Sequence, residues 1–331
     1  MSDQLALFDL APMEEPDPAA AQLQRVHAEA AEIASRVPAG VHFGTSSWSF
    51  PGWKGLVYSS SRSQTELARE GLREYAQHPL LTTVGVDRSY YAPMPAEDLR
   101  AWSEQLPDGF LCCFKAPASV TAMTLGHPSQ PSPNPDFLSV ERLVDDLLRP
   151  CDAVFRPHTG PIILEFPPFP RALKVNPSEF LFRLDRFLFA LPKGFEYAVE
   201  LRDARLLTPV YRDMLTRHRV SHTFNYWSAM PTPGEQAAAV PPDEAAFSVV
   251  RLLLPPGKWY EDQRDRFKPF SRLVEPDEAM RADVVSLAKR IVNRGRRVFV
   301  LVNNKAEGSS PLTVMELAKR LAALPALPAR S

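Results

Sequence analysis

The 331-residue sequence has few cysteines, no long apolar run and almost no net charge, and each absence narrows what the protein can be. Cys112, Cys113 and Cys151 show no metal-ligand or redox spacing, so we expect reduced core thiols. No apolar stretch approaches the ~20 residues of a membrane span, and no signal-peptide pattern opens the chain. The formal net charge of −1 gives no overall attraction to nucleic acid or membranes. We expect a cytoplasmic protein without membrane contacts, and nucleic acid stays open as a ligand.

The short motifs of common cofactor and metal sites are also missing. The turn after the first predicted strand, 44–47, is not of the G-x-G-x-x-G type, and neither a P-loop nor a G-x-S-x-G elbow occurs. The seven histidines show no H-E-x-x-H spacing. The sequence therefore predicts neither a bound cofactor nor a metal site, although carboxylates could hold a hard cation, so the metal requirement stays open.

The chain opens with a segment unlike the rest. Residues 1–20 combine a short apolar motif with an acidic, proline-containing stretch, which predicts a flexible tail. Apolar residues at helical spacing over 21–37 predict a leading helix within 21–40.

After residue 40 the chain alternates short apolar runs with amphipathic helical patterns. The predicted strands are 41–46, 82–87, 110–115, 161–165, 196–202, 220–225, 246–253 and 297–303. The predicted helices are 64–77, 96–105, 136–149, 177–190, 207–218, 277–294 and 311–324. Near-continuous apolar strands are typical of parallel sheets covered on both faces. Eight β-α units predict a single-domain (β/α)8 TIM barrel over 41–325. Long connections at 116–135, 226–245 and 254–276 are expected to be loops.

Polar or charged residues end seven of the eight predicted strands, and the seventh strand carries an arginine within an apolar stretch. Active sites of this fold lie at the carboxyl ends of the strands. Period-two geometry places Glu200 and Arg202 on one face of their strand. The candidate catalytic groups are Asp87, Glu165 and Glu200. The candidate substrate-binding residues are Thr45, Trp48, Tyr91, Lys115, Arg202, Arg251, Asn303 and Asn304.

Two interpretations of this polar set remain open. Three cations with several carboxylates and amides suit a small anionic or polyhydroxylated, sugar- or nucleotide-like ligand. Glu165 and Glu200 could then divide acid and base roles in a hydrolase, lyase or isomerase, if their surroundings separate their pKa values. The alternative is a ring of ion pairs that only plugs the barrel. Whether the protein is an enzyme stays open.

Several motifs at these strand ends resemble the YecE-like family, also called domain of unknown function 72. GTSSWSFPGW at 44–53 resembles its opening motif, and FKAP at 114–117 is similar to its KAP element. ILEFPP at 163–168, AVELR at 198–202 and VNNKAEG at 302–308 also resemble family motifs. The resemblance implies the barrel fold over about 41–325 and no settled activity.

The sequence departs from the family pattern at three places. VGVDRSYY at 84–91 stands where the family has VEINSTFY, Glu165 stands where glutamine is usual, and the loop after the seventh strand lacks the usual HG. The departures indicate a divergent branch.

The first residues carry a second resemblance. Gln4, Leu5, Leu7 and Phe8 fit the short QLxLF peptide with which bacterial replication and repair proteins bind the sliding clamp. Leu7 and Phe8 would fill an apolar pocket while Gln4 forms hydrogen bonds. This predicts, as an alternative function, a DNA-replication or repair accessory protein recruited to the clamp. A chance match, or a segment that packs on its own barrel, is the other interpretation.

Overall fold

The structure, a computed structural model, describes residues 17–126, 130–169, 173 and 175–323. Eight parallel strands form a closed barrel in the order β1-β8-β7-β6-β5-β4-β3-β2, which confirms the predicted fold. The strands are β1 Val41–Thr45, β2 Leu81–Val86, β3 Leu111–Lys115, β4 Thr159–Phe166, β5 Tyr197–Leu201, β6 Ser221–Tyr226, β7 Phe247–Leu252 and β8 Arg297–Val302.

Helices surround the barrel, and several short ones lie in the connections at the carboxyl ends of the strands. They are α1 Pro18–Ala34, α2 Gln64–Glu70, α3 Leu72–Tyr75, α4 Arg88–Tyr91, α5 Ala96–Ser103, α6 Ala118–Thr121, α7 Val140–Leu143, α8 Arg149–Val154, α9 Pro177–Ala190, α10 Pro209–His218, α11 Pro233–Ala239, α12 Tyr260–Phe267, α13 Glu278–Val292 and α14 Ser310–Ala322. Within the described ranges, no helix is long and apolar enough to cross a membrane.

Local sequence signals explain where several helices begin. α5 begins directly after Pro95, whose fixed φ suits a helix start. At α13, the Asp277 side chain accepts a hydrogen bond from the backbone N–H of Met280 and caps the first turn. α1 begins at Pro18, three residues before the predicted helix, because Asp17 accepts the N–H of Ala19 and so caps an earlier turn. Residues 18–20 are therefore helical, whereas the sequence placed them in the tail.

The predicted helix 136–149 takes a different form. α7 begins at Val140, a π-helical turn follows over Val144–Leu148, and α8 continues to Val154. Pro150 has no N–H to donate to the Asp146 carbonyl four residues earlier. That carbonyl instead accepts the N–H of Met94 at 3.2 Å, which ties the irregular turn to the chain after β2.

The three long connections contain short elements that their proline content concealed. The first holds α6 and a two-residue antiparallel ribbon of Thr124–Leu125 with Ser132–Pro133. The other two hold α11 and α12. α11 is capped by a reciprocal box in which Thr232 bonds the N–H of Glu235 and Glu235 bonds that of Thr232. These elements lie at the carboxyl ends of the strands, beside the barrel mouth.

The core consists of two apolar layers. The larger fills the space between strands and helices. The smaller lies inside the barrel and includes Cys113, Ile163, Ala198, Val249 and Leu301. All three cysteines are buried and free, as predicted, and burial raises the pKa of Cys113 to about 12. An apolar barrel interior leaves the strand ends as the place where polar groups collect.

Candidate functional site

The floor of the barrel mouth is built by strand register. Glu165 on β4 pairs directly with Glu200 on β5, so two carboxylates lie side by side. Arg251 on β7 is paired in register with Asn225 on β6 and Leu301 on β8. Neighbouring buried carboxylates repel each other, so this register requires cations between them.

Arg251 is the central cation of the floor. Its Nη1 lies 2.7 Å from Glu165 Oε2 and 2.5 Å from Glu200 Oε2, and its Nη2 lies 3.0 Å from Asp87 Oδ1. Burial lowers the pKa of Arg251, but the charges of Glu200, Asp87 and Glu165 outweigh that effect and raise it well above its usual value. The guanidinium is thus a permanent charge that links the ends of four strands, β2, β4, β5 and its own strand β7.

Lys115 and Arg202 complete the network around Glu165. The Lys115 ammonium lies 3.0 Å from Glu165 Oε1, and Arg202 Nη2 lies 3.0 Å from Glu165 Oε2. Arg202 Nη2 also forms an ion pair with Glu200 Oε1 at 2.5 Å, outside hydrogen-bond geometry. Burial raises the pKa of Glu165, but Arg202, Lys115 and Arg251 together hold it well below its usual value. Glu165 therefore stays ionised at neutral pH.

Aromatic rings lie against two of these cations. The Lys115 ammonium is 3.7 Å from the centre of the Tyr90 ring, and the Arg202 guanidinium is 4.2 Å from that of Trp227. Such contacts stabilise a cation that has left bulk water. Nε and Nη1 of Arg202 are buried and have no hydrogen-bond partner in the described structure. The folded chain thus leaves donors of this guanidinium unsatisfied.

Above this floor lies a cavity of about 220 Å³. Seven of the predicted residues line it: Asp87, Tyr91, Lys115, Glu165, Arg202, Arg251 and Asn303. Its walls also include Pro168, Trp227, Tyr260 and Lys305. The Tyr91 side chain is 79% exposed and the Tyr260 side chain 44%, so both stand at the open rim. The ion pairs therefore form the floor of an open cavity rather than a closed plug.

Lys305 is the cation of this cavity that differs from the others. Its ammonium lies 4.2 Å from the centre of the Tyr260 ring, and no carboxylate of the described chain lies within 4.0 Å. The residue is only 9% exposed. Burial lowers the pKa of Lys305 to about 8, although Asp87 opposes the shift. Lys305 was not among the predicted site residues, and its position directly after Asn303 and Asn304, which follow β8, was the available signal.

Four of the predicted site residues do not line the cavity. Glu200 is fully buried beneath it and forms ion pairs with Arg202 and Arg251 of the floor. The Thr45 hydroxyl donates to the Ser47 carbonyl at 2.7 Å and lies 2.9 Å from the Tyr75 hydroxyl. These contacts hold the end of β1 in place.

Trp48 and Asn304 also have structural contacts. Trp48 is buried, and its Nε1 donates to the Leu67 carbonyl at 2.9 Å. Asn304 Oδ1 accepts from Trp53 Nε1 at 3.2 Å and from the Ser310 N–H at 2.8 Å, which fixes the start of α14. The position of a residue on its strand can place it near the mouth. Its side-chain rotamer, however, decides which neighbours it contacts.

Two further predictions concern other kinds of site. Within the described residues, no group of three or more His, Cys, Asp or Glu side chains has the geometry to hold a metal ion. The clamp-binding residues Gln4, Leu5, Leu7 and Phe8 lie outside the residues that the structure describes.

Solved structures of other proteins share this fold. A DUF72 family protein from Enterococcus faecalis V583 superimposes with a TM-score of 0.59 at 17% identity, over 88% of this chain and 99% of its own. A DUF72 family protein from Thermotoga maritima MSB8 gives a TM-score of 0.57 at 19% identity, over 85% of this chain and 98% of its own. No curated protein matches. The family described as protein of unknown function DUF72 matches residues 42–330, and the chain therefore belongs to the DUF72 family.

Proposed function

We propose that the barrel mouth binds a small anionic ligand, whose charge is neutralised by Lys305. The observation that carries the proposal is Lys305 itself, a residue only 9% exposed that lines the cavity and has no carboxylate partner among the described residues. An unpaired buried charge costs several kcal/mol, on the order of the solvation it loses. A bound anion would offset that cost.

The charge balance of the mouth supports the same conclusion. Four cationic side chains, Lys115, Arg202, Arg251 and Lys305, face three carboxylates, Asp87, Glu165 and Glu200. The carboxylates are paired with the first three cations, which leaves one excess positive charge at Lys305. A ligand with one negative group would make the site neutral.

The rim of the cavity adds a preference for shape. Tyr91 and Tyr260 expose their rings beside the opening, and Trp227 covers the Arg202 guanidinium inside it. Aromatic faces bind flat or sugar-like surfaces through stacking and apolar contact. The rim therefore favours a ligand with a flat or sugar-like part next to its anionic group.

Ligand binding at the mouth has better support than a reaction in which the predicted carboxylates act as acid and base. Glu165 stays ionised with a strongly lowered pKa, which makes it a poor proton donor and a weak base at neutral pH. Glu200 does not reach the cavity. Asp87 is the candidate carboxylate that lines the cavity and is partly exposed, with a side chain 35% accessible. A hydrolase, lyase or isomerase reaction at this site would therefore depend on Asp87 or Lys305.

Calorimetric titration of the full chain with sodium acetate and with inorganic phosphate at pH 7 tests the proposal. We expect saturable binding of at least one of these anions, and a loss of at least tenfold in affinity for Lys305→Met, since the variant lacks the unpaired charge. Lys289→Met is the matched control, because Lys289 is exposed in the last turn of α13, which leads to the amino end of β8, the end opposite the mouth. Absence of binding to the wild type, or equal affinity for Lys305→Met, contradicts the proposal.

We infer a second candidate function from the predicted clamp-binding peptide. Asp17, directly before α1, lies 3.5 Å from Lys54, which follows β1 at the carboxyl ends of the strands. The nine residues between Phe8 and Pro18 span at most about 30 Å when fully extended. The described chain therefore begins, at Asp17, on the side of the barrel mouth, and a clamp-bound tail would hold the candidate site close to the clamp.

Fluorescence anisotropy with a labelled peptide of residues 1–12 and a bacterial sliding clamp tests this second candidate. We expect micromolar binding that Phe8→Ala weakens at least tenfold, because Phe8 would be the main apolar anchor. No binding at high micromolar concentrations contradicts it.

A further inference from the structure

A second cleft adjoins the cavity of the barrel mouth. It measures about 330 Å³ and lies at the loops that follow β3 and β4. Its walls are largely apolar and include Met123, Pro131, Pro167 and Phe169. Unlike the floor of the cavity, these walls contain no charged side chain among the described residues. The cleft therefore has the chemistry to bind an apolar group.

Two residues join the cleft to the cavity. Pro168 lines both spaces. Tyr90 lines the cleft, and the centre of its ring lies 3.7 Å from the Lys115 ammonium, which lines the cavity. The two spaces thus meet at Pro168 and Tyr90, and a ligand that extended past Pro168 would contact both.

The order of strands sets the direction of that molecule. Lys305 follows β8, whereas Pro168 follows β4, and these strands stand opposite each other in the closed barrel. A ligand that bound Lys305 through its anionic group and extended across the ion-pair floor would therefore reach Pro168. The cleft lies in its path.

We propose that the natural ligand is bipartite, with an anionic group held at Lys305 and an apolar or aromatic group held in the cleft beyond Pro168. This inference rests on the proposed function, because it assumes that the anionic group binds in the cavity. It narrows the ligand class from small anions in general to amphipathic carboxylates or phosphates. Fully hydrophilic anions such as free phosphate would fill only half of the site.

A series of carboxylates that differ only in their apolar part tests the inference. Acetate, phenylacetate, 4-phenylbutyrate and 6-phenylhexanoate are titrated into the full chain by calorimetry at pH 7. We expect the affinity to rise at least about tenfold above that of acetate at the chain length at which the ring passes Pro168, because burial of a phenyl ring is strongly favourable. 4-Phenylbutyramide, which lacks the charge, should bind more weakly than 4-phenylbutyrate.

Substitutions in the cleft provide the second half of the test. Met123→Asp places a carboxylate in the apolar wall and should remove the gain from the phenyl group while acetate affinity stays unchanged. Met123→Leu, which keeps volume and polarity, should retain the gain. Pro131→Asp at the exposed edge of the cleft replaces Met123→Asp if that variant does not fold.

The outcomes separate the two proposals. If acetate binds and depends on Lys305 but no phenyl carboxylate binds more tightly, the bipartite ligand is wrong and the anion site stands. A phenyl gain that survives both Met123→Asp and Pro131→Asp also overturns it, because the ring then binds elsewhere. If none of the carboxylates binds, the anion site and the inference fail together.

Discussion

Replacement of Lys305 by methionine should make the protein more stable at neutral pH, although it removes the residue that we propose binds the anionic group of the ligand. The folded-state pKa of Lys305 is about 8, below the ordinary value of 10.5 for a lysine. Below pH 8 the ammonium is charged in both the folded and the unfolded chain, so the folded protein bears the full cost of burying it. Between pH 8 and 10.5 the unfolded chain binds more protons, and the stability of the wild type rises with pH.

The size of the effect follows from the shift in pKa. The difference between 10.5 and about 8 corresponds to about 3 kcal/mol at pH 7, at roughly 1.4 kcal/mol for each pKa unit. The Lys305 ammonium also contacts the Tyr260 ring, interacts favourably with Asp87 and is opposed by Arg264. Methionine keeps the apolar stem but loses the contact of the charge with the ring, so we expect a net gain of about 1–3 kcal/mol at pH 7.

Urea unfolding of wild type and Lys305→Met at pH 7 and at pH 10 measures this effect. The variant should be more stable at pH 7, and its advantage should shrink at pH 10, where the wild-type amine is already neutral in the folded state. Lys289→Met, which removes an exposed lysine, should change the stability by less than about 0.5 kcal/mol at either pH. If Lys305→Met is less stable than wild type at pH 7, or if its advantage does not change with pH, the description of Lys305 as a buried unpaired cation is wrong.

Three further predictions follow from the contacts of the mouth. Glu200→Gln removes the buried carboxylate that pairs with Arg251 and Arg202, and urea unfolding should show a free energy of unfolding lower by about 3–5 kcal/mol. A loss under 1 kcal/mol would show that the floor does not depend on the ion pairs of Glu200. Thr45→Val removes the hydroxyl contacts with Ser47 and Tyr75 and should lower the free energy of unfolding by about 1–3 kcal/mol, while the affinity for acetate stays unchanged. A weaker affinity at unchanged stability would instead place Thr45 in the binding site. Acetate affinity should fall about tenfold for each pH unit above 8, because binding needs the protonated form of Lys305, and a pH-independent affinity in calorimetry would contradict this.

Much of the fold was readable from the sequence because barrel strands have a simple signature. Apolar runs such as Ile162–Leu164 are buried on both faces of a parallel sheet, and the helices between them show the amphipathic period. α11 and α12 were not predicted, since prolines and glycines in those connections indicated loops. The π-helical turn before α8 was also missed, because it depends on the hydrogen bond from Met94 to the Asp146 carbonyl, which is distant in sequence.

The candidate site was predictable in its location and charge but not in the roles of its members. Seven predicted residues do line the cavity, since the closed barrel brings all strand ends to one mouth. Glu200, Thr45, Trp48 and Asn304 do not, because each has buried partners that hold it beneath or beside the cavity. Lys305 was missed because its lack of a carboxylate partner depends on which distant residues surround it in the folded chain, and the sequence does not show these neighbours.

The sequence by itself determined the eightfold β/α repeat, the family and the gathering of charged residues at one end of the barrel. These features depend on the spacing of apolar residues and on residue identity, both of which can be read directly from the sequence. Tertiary structure decided which charges neutralise each other, because ion pairing depends on distances between atoms of different strands. It also decided that Lys305 has no carboxylate partner within the described chain and that an apolar cleft lies beyond Pro168. Those two features, rather than the carboxylates that the sequence singled out, define the ligand that we propose.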